Sequence, residues 1–155
     1  MFKLSQKSKD RLVGIDDKLI ILVNTAITNS TIDFGVTEAL RTLERQKYLK
    51  SIGASTTLDS KHLTGQAIDL VAYVDGTIRW EWPLYYRLAE HIRKVAKELN
   101  IRLRWGGAWD VYSFTHTVIP TEELVINYVE RQRANGKKAF IDGPHFELCT
   151  RSEKN

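Results

Sequence analysis

The chain has 155 residues, 43% of them hydrophobic, with one cysteine and four histidines, so it has the size of one ordinary domain and can bury a core without disulfides. Its net charge of +4 and pI of about 9.2 favour a polyanionic partner but do not choose among nucleic acid, anionic cell-wall polymer and lipid headgroups. The start, MFKLSQKSKDRL, lacks an apolar core of about seven residues, and no segment reaches the roughly 18 to 20 apolar residues of a membrane span, so a soluble product with no signal peptide and no stable membrane insertion is expected.

Residues 5–29 read as a first helix, because Leu12, Leu19, Leu22, Val23, Ala26 and Ile27 recur at near-helical spacing, with a weak point at Gly14. Asp33 to Thr37 reads as a short strand. Leu43 to Ile52 reads as a helix stopped by Gly53, with Glu44, Arg45, Gln46, Lys47 and Lys50 on its wet side. From Ala67 to Tyr73 the pattern is β-like, and Asp75-Gly76 is a hairpin turn into a partner strand, Thr77 to Trp80. Pro83 opens an amphipathic helix with an apolar stripe of Leu84, Leu88, Ile92, Val95 and Leu99. Ile101 to Trp105 reads as a strand ended by Gly106-Gly107, and Thr121 to Ala134 as a helix stopped by Asn135-Gly136. A last strand, Phe146 to Cys149, follows the turn Asp142-Gly143-Pro144. Short strands interspersed with helices, and one hairpin, predict an α+β fold with a small, mostly antiparallel sheet. No repeat or linker interrupts residues 1–155, so one domain is expected. The lone Cys149 cannot form an intramolecular bridge and reads as a buried or idle thiol.

The stretch SKHLTGQAID, Ser60 to Asp69, closes an apolar run with an acid seven residues after a histidine. On one helix residues seven apart are separated by about 10.5 Å, and on one strand they face opposite sides. His62 and Asp69 therefore share an ion only if the chain turns between them, and Thr64-Gly65 offers the turn. A catalytic zinc commonly takes three protein ligands and leaves one position open, so a second histidine is needed. His91 is flanked by Leu88, Ile92 and Val95 and reads as the edge of a core; His116 in FTHTV is ambiguous. His145 in DGPHFE, past a rigid turn and with an acid on either side, has the chemistry that the others lack. Asp142 suits a general base beside the ion, and Glu147, on the same strand face as His145, suits a hold on that imidazole's other N–H; these two roles are interchangeable at this level. The competing reading makes Asp69 a capped turn residue, His62 a loop residue and DGP a plain turn.

Ser60, His62, Gly65, Ala67 and Asp69 in the pattern S-x-H-x-x-G-x-A-x-D, with Asp142, Pro144, His145, Phe146 and Glu147 in D-x-P-H-F-E, resemble the zinc D-Ala-D-Ala carboxypeptidase family. Within it the chain is similar to the bacteriophage endolysins that are L-alanyl-D-glutamate endopeptidases, from the helical N-terminus through ALRT and RWGGAW to HFEL. The resemblance implies a zinc peptidase fold with one zinc ion, His62, Asp69 and His145 as ligands, and Asp142 as base, where carboxypeptidase relatives commonly carry glutamate. It implies that Arg41 reaches the active site to hold a substrate carbonyl or carboxylate oxygen, and that Ser60, Trp105 and Trp109 contact substrate. Relatives commonly pass almost directly from RWGGAW to D-x-P-H, whereas here residues 115–138 intervene as an insertion.

The function so implied is hydrolysis of the L-alanyl-D-glutamate bond in the peptidoglycan stem peptide during phage-induced lysis. The protein would act as a monomer that stays in the host cytoplasm until the membrane is permeabilised and then meets the cell wall. The rivals are a D,D- or L,D-carboxypeptidase of the same chemistry and a non-catalytic zinc-bearing wall-binding module. A nucleic-acid partner is not expected, because the 23 lysines and arginines form no recognisable reading motif.

Overall fold

Two short helices open the chain, and their separation is set by capping. Ser5 accepts a hydrogen bond from the Ser8 N–H and starts α1, Gln6–Arg11; Asp16 accepts one from the Lys18 N–H and starts α2, Asp17–Thr28. The single helix expected over residues 5–29 is thus two, turning through Gly14. The computed structural model describes residues 1–149, so residues 150–155 of the expected domain lie outside it.

The rest of the chain runs β1 (Asp33–Glu38), α3 (Leu43–Ser51), a 3-10 turn (Lys61–Thr64), β2 (Ala67–Val74), β3 (Thr77–Arg79), α4 (Trp82–Glu98), β4 (Leu103–Trp105), a second 3-10 turn (Phe114–His116), α5 (Thr121–Ala134) and β5 (His145–Leu148). The strands form one antiparallel sheet in the order β1-β2-β5-β4, with β3 paired to β2. The fold is α+β with a small antiparallel sheet surrounded by helices. β5 begins at His145 rather than Phe146, because His145 is already in register, directly opposite Asp69.

Ile68 and Leu70 of β2 are fully buried, as are Leu19, Leu22, Val23 and Ala26 of α2 and Leu88, Ala89, Ile92, Val95 and Ala96 of α4. The core therefore lies between the sheet and the α2–α4 pair. Asp69, between Ile68 and Leu70, points to the other face because side chains alternate along a strand. The opposite face of β2 and β5 is left free for a cleft. No helix among the described residues is long and apolar enough to cross a membrane.

A metal-competent cluster in an open cleft

The turn between His62 and Asp69 is built by local caps. Ser60 accepts a hydrogen bond from the His62 N–H at 3.2 Å and starts the 3-10 turn, which Gly65 ends in the left-handed region with φ 73°. A side chain at position 65 would approach the Gly14 carbonyl to 2.9 Å, so glycine serves both backbone angle and packing. The chain then enters β2 and brings Asp69 opposite His145.

The donor atoms converge. His62 Nε2 lies 3.2 Å from Asp69 Oδ1 and 3.2 Å from His145 Nδ1, and His145 Nδ1 lies 3.3 Å from Asp69 Oδ1. Three ligands about 2.0 to 2.1 Å from a tetrahedral ion stand about 3.4 Å apart. The outer ring nitrogens are held as well: His62 Nδ1 lies 2.7 Å from the Ala39 carbonyl oxygen, and His145 Nε2 lies 2.9 Å from Glu147 Oε1. When those nitrogens carry the protons, both lone pairs face inward. Asp69 Oδ1 is buried and makes no hydrogen bond of acceptable geometry. Two inward-facing ring nitrogens and an orphaned carboxylate oxygen call for a cation, and His62, Asp69 and His145 could hold a metal ion.

Without that ion, protons take its place. Burial disfavours the charged form of His145, but the neighbouring Asp69 and Glu147 carboxylates outweigh it and raise the pKa to about 9. For Asp69, burial is likewise overcome by the His145 and His62 rings beside it, which hold the carboxyl well below the usual carboxylate range. Asp142 behaves oppositely: burial, reinforced by the charge of Asp69, pushes it up to about 6.

The cleft around this cluster has a volume of about 940 Å³. Asp142, Arg41, Ser60, Trp109 and Glu147 line it together with the three donors. Arg41 is nearly buried: Nε donates to Glu38 Oε1 at 2.7 Å, Nη1 donates to Gln46 Oε1 at 2.6 Å, and Nη2 lies 3.7 Å from Asp69 Oδ2. Trp109 lies against the His145 ring, with centroids 4.8 Å apart. Within residues 115–138, Tyr128, Gln132 and Lys138 contribute to the cleft wall, so this segment borders the site.

Two expectations need correction. Trp105 is absent from the cleft: it is fully buried, packs against Phe114 and Phe146, and donates its indole N–H to the Gly143 carbonyl at 2.8 Å. It braces the Asp142-Gly143-Pro144 turn from inside the core. Gln46, assigned to a wet helix face, is also fully buried; besides accepting from Arg41 it donates to Ser55 Oγ at 2.8 Å and to the Thr57 carbonyl at 2.6 Å. The same turn depends on Gly106, whose N–H donates to the His145 carbonyl at 2.9 Å and whose carbonyl accepts from the Asp142 N–H at 2.8 Å. A Cβ there would run into the Asp142 backbone. His91 and His116 stand apart from the cluster: His91 Nε2 lies 2.8 Å from the Ala26 carbonyl oxygen and His116 Nδ1 lies 3.0 Å from Ser113 Oγ. Cys149 is half-buried, with Sγ at the Tyr112 carbonyl.

Among the described residues, five helices around a small antiparallel sheet set a His-Asp-His group that could hold a metal ion in an open cleft, and similarity to known proteins makes the chain a peptidase. Residues 1–149 match the family model described as phage L-alanyl-D-glutamate peptidase, and the chain belongs to that family. It is 28% identical over 151 residues to the L-alanyl-D-glutamate peptidase of Escherichia phage T5, covering 95% of this chain and 98% of the relative. A shorter stretch of 72 residues is 39% identical to the L-alanyl-D-glutamate peptidase of Listeria phage A118, covering 46% of this chain and 25% of that protein. Among solved structures, the Serratia marcescens L-Ala D-Glu endopeptidase ChiX superposes with a TM-score of 0.72 at 31% identity, over 98% of this chain and 92% of that one.

Proposed function

We propose that this chain is a zinc-dependent endopeptidase that cuts the L-alanyl-D-glutamate bond of the peptidoglycan stem peptide, with His62, Asp69 and His145 as the zinc ligands. The observation that carries this reading is the triangle of donors 3.2 to 3.3 Å apart around a buried carboxylate oxygen with no hydrogen bond. Two neutral imidazoles and one carboxylate suit zinc, which is commonly bound by such a set in catalytic sites. When bound, zinc polarises the scissile carbonyl and lowers the pKa of water toward about 7. Asp142 takes the proton from the attacking water and passes it to the departing amine; burial, which favours the protonated carboxyl, helps it hold that proton in between. Arg41 offers Nη2 to the carbonyl oxygen as negative charge develops there. Glu147 keeps the His145 ring turned toward the ion, and Ser60 and Trp109 bound the space that substrate enters.

This activity fits an endolysin acting as one catalytic domain over residues 1–155, monomeric, held in the host cytoplasm until the membrane is permeabilised, and then acting on the wall. Bound zinc and peptide release from purified peptidoglycan, measured for wild type, His62→Ala and Asp142→Ala, test the assignment. His62→Ala is expected to lose both, and Asp142→Ala to keep zinc and lose turnover. Equal zinc loss in the two variants would make Asp142 a ligand instead. Mass spectrometry of the released fragments separates an endopeptidase, which frees whole stem peptides, from a carboxypeptidase, which frees only terminal D-alanine.

A further inference from the structure

Four cations line the cleft: Arg41, Lys61, Arg104 and Lys138. They differ in how far the protein itself uses them. Arg41 is committed to Glu38 and Gln46, and Lys61 donates to the Leu148 carbonyl at 2.5 Å and pairs with Glu147 at 3.2 Å. Lys138 is exposed.

Arg104, opposite Glu147 in the β4–β5 pair, is held but not satisfied. Its Nε donates to the Trp109 carbonyl at 2.5 Å, and its guanidinium carbon lies 5.3 Å from the centroid of the Trp109 ring and 4.4 Å from that of Tyr112. Stacking on aromatic rings fixes the plane of the group without using its terminal N–H donors. Among the described residues neither terminal nitrogen has a hydrogen-bond acceptor; the nearest carboxylate oxygen, Glu147 Oε2, is 3.9 Å from Nη1 and is already paired with Lys61. The group is thus a flat, pre-oriented pair of donors opening on the cleft, the arrangement that takes a carboxylate in two parallel hydrogen bonds.

Arg104 lines the same cleft as the cluster. Arg104 Nη1 lies 3.9 Å from Glu147 Oε2, and Glu147 Oε1 holds the outer nitrogen of the His145 ring. On the substrate, the α-carboxylate of the D-glutamyl residue is three bonds from the scissile carbonyl carbon. We infer that Arg104 anchors this α-carboxylate, leaving Arg41 to the carbonyl oxygen. The inference rests on the endopeptidase reading above and makes the enzyme selective for stem peptides whose D-glutamyl α-carboxyl is free. An amidated residue, D-isoglutamine, brings an NH₂ donor against the guanidinium donors and loses the charge as well. A site built for one hydrogen-bonding group rejects the analogue that lacks it.

Two synthetic tripeptides, L-alanyl-γ-D-glutamyl-L-lysine and its α-amide, test this on the zinc-loaded enzyme. Wild type is expected to favour the free acid in kcat/KM by roughly tenfold or more, mainly through KM. Arg104→Gln brings the ratio close to one, and Arg104→Lys, which keeps the charge without the fork, retains part of it. Arg41→Lys slows both peptides alike and leaves the ratio in place. A wild-type ratio near one, a ratio that survives Arg104→Gln, or a ratio that follows Arg41 instead would overturn the inference while leaving the endopeptidase reading intact. If wild type cleaves neither peptide, that reading fails. The inference is then decided by equilibrium titration of the two peptides onto zinc-free protein: tighter binding of the acid, lost in Arg104→Gln, supports it, and equal binding of the two ends it.

Discussion

The side-chain carbonyl of Gln46 accepts a hydrogen bond at 2.6 Å from Nη1 of Arg41, while its amide nitrogen reaches Ser55 and Thr57 on the cleft rim. Helix α3 thereby aims the arginine at the cluster. Gln46→Leu keeps much of the volume but leaves a buried guanidinium N–H, the Thr57 carbonyl and the Ser55 hydroxyl without this partner. A loss of about 1 to 3 kcal/mol in stability and of roughly tenfold or more in kcat is expected, with zinc content unchanged. Denaturant titration, turnover and metal analysis of the one variant check all three.

Glu147 touches no substrate in the proposed reaction, yet it sets which nitrogen of His145 is available. Glu147→Gln keeps a hydrogen-bonding side chain but removes the charge that favours a proton on Nε2. Zinc affinity should fall about 10- to 100-fold, read by competition with a chromogenic chelator. An unchanged affinity would mean that the β2–β5 register alone orients the ring.

The zinc-free protein and the zinc complex should respond to pH in opposite directions. The folded pKa of His145 lies at about 9, above the ordinary 6.5, so its contribution to stability is fully present below about pH 6.5 and is lost as pH rises through 9. Asp142, raised from 3.8 to about 6, has the same sign over a lower window. Asp69, held below its ordinary 3.8, contributes above that value and loses its contribution in stronger acid. The Tm of chelator-treated protein should therefore decline from about pH 4 toward pH 9 as far as these two raised groups govern it, whereas zinc affinity should increase as the proton on His145 becomes easier to displace. Calorimetry with and without zinc across this range measures both trends.

The cluster and the sheet were legible in the sequence for a simple reason: periodicity exposes a polar residue on a buried strand, and Asp69 between Ile68 and Leu70 is such a residue. The seven-residue separation from His62 then demanded a turn, which Gly65 supplies. Trp105 and Gln46 were misread because a side chain's surroundings are not written in its neighbours along the chain. A tryptophan beside two glycines looks like a cleft wall until the Asp142 turn packs over it, and a glutamine among lysines looks solvated until the segment 55–57 folds across it. The split between α1 and α2 depended on Asp16 capping a new helix, a local signal outweighed by the apolar spacing on either side. Arg104 stood only as the first residue of the RWGGAW stretch, since its aromatic neighbours and its unused donors exist only in three dimensions.

β5, the last strand among the described residues, lies in the interior of the sheet, between β2 and β4. Two of the three ion donors are in place once β2 has followed the turn at Gly65, but the third is supplied only when this final segment threads between strands made earlier. A chain folded only as far as β4 therefore holds two of the three donors and lacks His145. Occupancy by the ion would fasten β5 to β2, so the chemistry of the site also secures the centre of the sheet.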